Sequence, residues 1–209
     1  EFRIPVHPFF NPSGPSDTHL GPCGSSLNGV PLYNQYESPT NELDPNTIQT
    51  FDQGNGHPAP QGRYHYHFPP IFLMDVEETN FLGFSADGFP VYSPKNPDGT
   101  NADALDECHG EFGPTPDFPS GIYHYHTTYE SPYIFGCFKG QEGVGFGGQG
   151  GGGGGIDPPI PPSCSDVYPG MPCCGDGYCS YPETIDNCLV DCEITEISMD
   201  VQFASDWNL

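Results

Sequence analysis

Two short segments of this chain place histidine and tyrosine at alternate positions, and imidazole nitrogens can bind metal ions. Both segments read Tyr-His-Tyr-His, at residues 64–67 and 123–126. Aromatic residues at a period of two favour a β-strand, in which residues i and i+2 share a face. Each segment should therefore direct its histidines to one face and its tyrosines to the other. The four histidines are His65, His67, His124 and His126.

We expect the two histidine pairs to meet at one shared centre. Four neutral imidazoles suit Cu²⁺ or Zn²⁺, whereas Cu⁺ prefers sulfur ligands. Two alternatives remain open for the same residues. They could form a buried network that hydrogen-bonds turn carbonyls and carboxylates such as Asp52 and Asp106, or they could serve catalysis. His57 and His109 lie near these aspartates at non-equivalent positions, so we treat them only as accessories.

An internal repeat contains both segments. Three blocks recur in the same order, which are 26–33 with 85–92, 51–56 with 105–110, and 62–67 with 121–126. The recurrence predicts two copies of one unit, at about 21–80 and 81–140, packed around a pseudo-twofold axis. In each copy an Asn-Gly or Asp-Gly pair precedes a proline-containing apolar stretch, which indicates a tight turn that leads into a strand.

Helix signals are rare, and we expect only one short helical turn, at 101–107. The chain contains 28 Gly and 26 Pro beside 15 Phe and 12 Tyr, which indicates many turns around an aromatic core. The predicted fold is therefore mainly β: a loop-rich duplicated β module, followed by a Gly/Pro linker and a small disulfide-rich module.

The charge balance excludes several partners. Four basic residues face 28 acidic ones, and the net charge is −24, so neither nucleic acid nor an anionic membrane surface is an expected partner. No apolar run is long enough to span a bilayer, so we expect no membrane insertion. Gly143–Gly148 resembles a dinucleotide-binding pattern, but no strand–turn–helix unit surrounds it, and no nucleotide or organic cofactor is predicted.

The chain divides into five parts by composition. We predict an extended N-terminal arm at 1–20, the duplicated module at 21–140, and a Gly/Pro-rich linker at 141–163. A cysteine-rich module follows at 164–192, and a strand-like tail at 193–209. Nine cysteines indicate an oxidising compartment, so we expect a secreted or cell-surface protein. The first residues are consistent with a mature product from which a leader has been removed.

The cysteine-rich module is too short to build a core, so disulfides should stabilise it. Its sequence from Cys174 to Cys179 is similar to the small Cys-Gly-Asp-Gly-x-Cys modules of many secreted proteins. Its oxygen donors can hold Ca²⁺, the alternative being a solvated acidic loop. These donors are Asp176, Glu183, Asp186, Asn187 and Asp191. The cysteines are Cys164, Cys173, Cys174, Cys179, Cys188 and Cys192.

Residues of about 20–140 resemble the YHYH domain family. The motifs that carry the resemblance occur in the family's order, at 28–33, 62–67, 83–92, 105–110, 123–128 and 132–137. The resemblance implies a secreted or cell-surface domain and a disulfide between Cys108 and Cys137. The first repeat has Gly54 in place of Cys108 and should lack this bond. Cys23 is then left over, either for an intermolecular bond or as a buried free thiol.

Three functions fit these observations. We favour a secreted structural subunit that self-associates head to tail into a fibre through donated terminal strands, with bound metal ions stabilising the fold or the assembly. The first alternative is a secreted Cu²⁺- or Zn²⁺-binding protein or metalloenzyme that uses the four histidines. The second is a carbohydrate-binding domain whose tyrosines stack on glycans. No residue spacing indicates a catalytic triad, so a non-enzymatic role is favoured and no catalytic residue is assigned.

Overall fold

The computed structural model describes residues 2–60, 62–76, 80–96 and 98–146. This part of the chain is mainly β, as predicted. The strands are β1 (Ser16–Asp17), β2 (Pro22–Ser26), β3 (Pro31–Tyr33), β4 (Tyr36–Ser38), β5 (Asn41–Glu42), β6 (Gly56–Pro58), β7 (Tyr64–Tyr66), β8 (Phe81–Ser85), β9 (Pro90–Tyr92), β10 (Gly110–Gly113), β11 (Ile122–His126) and β12 (Cys137–Phe138), and the helices are α1 (Pro45–Ile48) and α2 (Ile71–Val76).

Eight strands form one sheet in the order β10-β11-β9-β8-β2-β3-β7-β6. The first repeat supplies β2, β3, β6 and β7, and the second supplies β8, β9, β10 and β11. Read outward from the central antiparallel pair β2–β8, the order is the same in both halves. This is the order that the predicted pseudo-twofold axis, passing between β2 and β8, would produce.

Local turn chemistry accounts for the inner hairpins. The predicted turns connect β2 to β3 and β8 to β9, and both pairs are antiparallel. Both Tyr-His-Tyr-His segments form strands, β7 and β11, which confirms that prediction. Each runs parallel to the second strand of its own hairpin and antiparallel to an outer strand, β6 or β10.

The two halves approach closely where β2 meets β8. A Cβ atom built on Gly24 would lie 2.6 Å from the Phe84 carbonyl oxygen, and one on Gly83 would lie 2.1 Å from the Ser25 carbonyl oxygen. Gly83 also has a φ of +151°, which residues with side chains rarely adopt. Both glycines precede the repeated turns by four or five residues, so the repeat itself places small residues at the junction.

The core is aromatic, as the composition predicted. Tyr125 stacks on Phe135 with ring centroids 4.7 Å apart, and Phe89 meets Tyr123 edge to face at 5.1 Å. The disulfide between Cys108 and Cys137 is present and borders this core, which confirms the pairing that the family resemblance implied.

The expected helical turn at 101–107 is wrong. The structure has no helix there, because the Asp106 carboxylate accepts hydrogen bonds from the backbone N–H groups of Cys108 and Gly110 at 2.9 and 3.1 Å. An aspartate that binds the amide groups after it favours a turn over a helix. The sequence analysis predicted neither α1, whose N-cap is Asp44, nor α2.

The N-terminal arm packs on its own chain. β1 pairs with β12, and isolated bridges join Arg3 to Val144 and Phe10 to Gly140. Residues 141–146, the first part of the predicted linker, therefore contact the arm. Donation of this arm to a neighbouring molecule would require these pairings to break.

Cys23 is a free thiol that is fully buried, with its sulfur directed at the carbonyl oxygens of His19 and Gly21. This is the second of the two alternatives for Cys23, because a buried sulfur cannot reach another molecule. Burial raises the pKa of the thiol well above its usual range. The proton is therefore retained, and Cys23 contributes to packing.

Several predictions concern residues outside the described ranges. These are the remainder of the linker, the disulfides of the cysteine-rich module, the tail, and the calcium ligands Asp176, Glu183, Asp186, Asn187 and Asp191. Among the described residues, no helix has the length and apolar character needed to cross a membrane.

Candidate metal centres

The first cluster of ligand atoms lies at the outer edge of the first repeat. His65 lies on β7, and the strand register places His57 of β6 directly opposite it. The Nε2 atom of His65 is 3.1 Å from Nε2 of His57 and 2.9 Å from Nε2 of His67. We call these three histidines centre 1. Four nitrogens around a tetrahedral Zn²⁺ lie about 3.3 Å apart, given Zn–N bonds of about 2.0–2.1 Å. The spacing in centre 1 is close to this value.

Backbone carbonyls determine which ring nitrogen of each buried histidine carries the proton. Nδ1 of His65 lies 3.1 Å from the Arg63 carbonyl oxygen, and Nδ1 of His67 contacts the carbonyl oxygen of Asn34. Because a carbonyl only accepts hydrogen bonds, both Nδ1 atoms must donate, and Nε2 of each neutral ring is a bare acceptor. Two lone pairs therefore face each other at 2.9 Å.

Burial keeps these rings neutral. His65 and His67 are each 3% exposed. Desolvation, with a smaller contribution from the neighbouring imidazoles, lowers the pKa of His65 to about 3 and that of His67 to about 4. Neither ring gains a second proton near neutral pH, so no hydrogen is available between their Nε2 atoms. A bound cation would relieve this contact and use both lone pairs.

The second cluster occupies the corresponding place in the second repeat. His124 and His126 lie on β11, and the register places Glu111 of β10 opposite His124. Oε1 of Glu111 lies 3.8 Å from Nε2 of His124 and 3.3 Å from Nε2 of His126. We call these three residues centre 2.

Centre 2 repeats the arrangement of backbone carbonyls. Nδ1 of His124 donates to the Ile122 carbonyl at 2.9 Å, and Nδ1 of His126 donates to that of Ser93 at 2.7 Å. Burial lowers the pKa of both histidines, so Nε2 of His126 carries no proton to donate to Glu111. Among the described residues this buried nitrogen has no hydrogen-bond partner. Again, acceptor atoms converge without a donor between them.

The prediction of one shared centre is wrong, because the four histidines lie in two separate groups among the described residues. β7 and β11 lie on either side of four other strands, so they are about 24 Å apart along the sheet at about 4.8 Å per strand. The repeats meet through β2 and β8, and each histidine strand lies toward the outer edge of its own half. The third candidate ligand of each pair therefore comes from the same repeat as the pair.

The sequence analysis missed Glu111 and gave His57 only an accessory role. The signal was available in the repeated blocks, because His57 and Glu111 each follow the last glycine of the second block, Gly56 and Gly110. Comparing His57 with His109 obscured this equivalence. His109 joins neither centre; its Nδ1 lies 3.4 Å from the Thr128 hydroxyl.

The carboxylates expected to bind the histidines bind tyrosines on the opposite face. The Tyr64 hydroxyl donates to Asp52 at 2.6 Å, and the Tyr123 hydroxyl donates to Asp106 at 3.0 Å. In the hydrogen-bond network alternative, the part that assigned Asp52 and Asp106 to the histidines is therefore wrong. The same alternative correctly predicted hydrogen bonds from these histidines to carbonyl groups, which the Nδ1 atoms of His65, His67, His124 and His126 make.

Aromatic rings border both centres. Tyr33 lies 4.1 Å from the His65 ring between centroids, and its counterpart Tyr92 lies 5.3 Å from His124. Centre 2 also opens onto a cavity of about 300 Å³, to which Glu111, His124 and His126 all contribute. The second centre thus combines candidate ligands with space beside them.

The family model described as YHYH protein matches residues 1–104 and 98–140. No curated protein and no solved structure matches the chain. The matched residues contain both Tyr-His-Tyr-His strands, together with Glu111 and His57.

Proposed function

We propose, given that this chain belongs to the YHYH protein family, that it binds two transition-metal ions, one at centre 1 and one at centre 2. One observation carries the proposal: in each centre the two histidines of the Tyr-His-Tyr-His segment donate from Nδ1 to backbone carbonyls, and their bare Nε2 atoms converge. Metal-binding histidines commonly donate their second ring nitrogen to such a carbonyl, which fixes the ring and its tautomer.

The ligand sets suit borderline divalent ions. Three imidazoles, and two imidazoles with a carboxylate, are both known ligand sets for Zn²⁺ with one position left for water or another ligand. Imidazole also suits Cu²⁺, which binds a given set of nitrogen and oxygen ligands more tightly than Zn²⁺ does. We therefore propose Cu²⁺ or Zn²⁺ at both centres.

Metal content should fall by one ion when either centre is disrupted. We expect the purified chain to bind two equivalents of Zn²⁺, and His65→Ala and His124→Ala each to bind one. Loss of a ligand should lower the metal affinity of the affected centre by more than about 100-fold, because loss of a hydrogen-bond partner of a ligand already lowers metal affinity by about 10–100-fold. Elemental analysis after dialysis measures the stoichiometry.

His7→Ala is the matched control, because His7 is exposed and outside both centres. It should retain two equivalents. Fewer than two equivalents in the unmodified chain would contradict the proposal, as would a His124→Ala variant that still binds two. Circular dichroism of each variant checks that the sheet is retained.

Exchanging the third ligands should exchange the properties of the centres. The double variant His57→Glu with Glu111→His gives the first repeat the ligand set of the second, and the reverse. We expect two ions to remain bound. Each centre should take on the selectivity for Cu²⁺ over Zn²⁺ that the other centre has in the unmodified chain, because carboxylate and imidazole differ in softness. Competition titrations in the His65→Ala and His124→Ala backgrounds report each centre alone. Unchanged preferences would show that position 57 or 111 is not a ligand.

Secretion and assembly are separate proposals. The Cys108–Cys137 disulfide supports a secreted or cell-surface location, because such bonds persist in oxidising compartments. Head-to-tail self-association would have to use segments other than the packed N-terminal arm, and binding of glycans would use exposed rings such as Tyr129. The metal centres are the better supported function.

A further inference from the structure

We propose that centre 2, once it holds its metal ion, keeps a coordination position open to the adjacent cavity and binds there a small carboxylate with an apolar body. This inference rests on the proposed metal binding and adds a ligand class to it. It is supported by the shape of the cavity, by its charge, and by a difference between the two repeats.

The cavity borders the end of β10, where the last residue is a glycine. Gly113 lines it, and a Cβ atom built there would lie 4.0 Å from Cε1 of His124, at ordinary contact distance. A side chain at this position would therefore project over the imidazole, into the space beside the metal. The first repeat has Ala59 in the equivalent place, three residues after Gly56, as Gly113 is three after Gly110. The two repeats therefore differ by one methyl group at this position.

The charge of the site favours a monoanion. A divalent ion bound by Glu111 and two neutral imidazoles retains one positive charge. Of the described residues that line the cavity, Glu111 alone carries a charged side chain. A ligand with a single negative charge would neutralise the loaded centre. A carboxylate oxygen is also a suitable ligand atom for Zn²⁺ and Cu²⁺.

The walls of the cavity favour an apolar body on that anion. Phe112 and Pro114 contribute apolar surface, and the Tyr92 ring lies at the same cavity. The polar groups already have partners: the Asn96 amide nitrogen donates to Thr100 and Asn101, and the Tyr92 hydroxyl binds Thr115 and Asp117. The metal is therefore the main polar anchor. About 300 Å³ is at the lower end of small-molecule pockets, which limits the ligand to the size of a single aromatic ring.

The test uses the full chain with His65→Ala, loaded with Cu²⁺, so that the visible absorption reports centre 2 alone. Benzoate should shift the absorption band and saturate, whereas neutral benzamide, of the same size, should not. Gly113→Leu should retain Cu²⁺ and weaken benzoate binding at least 10-fold, and Gly113→Ala should have a smaller effect.

A series of carboxylates of increasing size, added to the Cu²⁺-loaded His65→Ala chain, gives a second measurement. Acetate and benzoate should bind, and cholate, which is too large for the cavity, should not. Absence of Cu²⁺ from the His65→Ala chain would contradict the proposed function itself. Bound Cu²⁺ with no response to benzoate would overturn only this inference. Equal affinity for benzoate and cholate, or full benzoate binding in a metal-loaded Gly113→Leu variant, would also overturn it.

Discussion

Asp87→Ala is expected to lower the free energy of unfolding by about 4 kcal/mol. Asp87 is fully buried between the core and the 137–146 segment. Its carboxylate accepts hydrogen bonds from the Tyr125 hydroxyl at 2.6 Å and from the Gly140 backbone N–H at 2.8 Å, and it also accepts from the Ser85 hydroxyl. Burial raises the pKa of this carboxyl, and these donors oppose the rise.

The size of the effect follows from the donors that alanine would leave. Each buried polar group without a partner costs about 1–3 kcal/mol, and Tyr125 and Gly140 would both lose their acceptor. The Ser85 hydroxyl retains a contact with the Phe89 carbonyl at 2.9 Å. Chemical denaturation followed by tyrosine fluorescence measures the change.

The first repeat supplies the matched control for Asp87. Asn28 is its counterpart and donates to the Tyr66 hydroxyl at 3.1 Å, but it is exposed. Asn28 also accepts from the Ser26 hydroxyl and the Val30 N–H. Asn28→Ala should cost about 1 kcal/mol or less, because water can replace these hydrogen bonds at an exposed residue and the Ser26 hydroxyl retains the Val30 carbonyl at 2.7 Å. Equal losses for the two variants would contradict the role assigned to the buried carboxylate.

Gly83→Ala should destabilise the fold by about 4 kcal/mol or more, an unusually large loss for the addition of one methyl group. The new Cβ would lie 2.1 Å from the Ser25 carbonyl oxygen and 2.7 Å from Cα of Ser26. Both are backbone atoms of β2, so no side chain can rotate to make room. The strands would have to separate at the junction of the two repeats.

Gly62→Ala is the control that separates backbone strain at a positive φ from steric overlap of the new Cβ atom. Gly62 has a φ of +81° and open space around its missing Cβ. Alanine at this position should lower the free energy of unfolding only by the cost of a positive φ, about 1–2 kcal/mol. Thermal unfolding of both variants gives the comparison, and a Gly83→Ala loss no larger than that of Gly62→Ala would show that β2 and β8 can move apart freely.

Local patterns predicted much of the fold. The period of two in residues 64–67 and 123–126 is a property of the strand itself, so the strands and their two faces could be read directly. The turns at Asn28-Gly29 and Asp87-Gly88 are likewise local. The Cys108–Cys137 bond followed from the family resemblance.

Pairing between distant strands could not be predicted in the same way. Nothing near His65 or His124 indicates that β2 and β8 form the junction, so the distance between the histidine pairs depended on a non-local choice. Glu111 was missed for a different reason. Glu111 is not a histidine, although it occupies the same place in the second repeat as His57 does in the first, and the search for ligands considered only histidines there.

The distance between the two centres has an evolutionary consequence. Because each histidine strand lies toward its own end of the sheet, a substitution in one centre leaves the surroundings of the other untouched. In a duplicated unit of this kind, one copy can therefore change at its centre while the other keeps its ligand set. The exchange of imidazole for carboxylate between residues 57 and 111, and of alanine for glycine between residues 59 and 113, is the record that such divergence would leave.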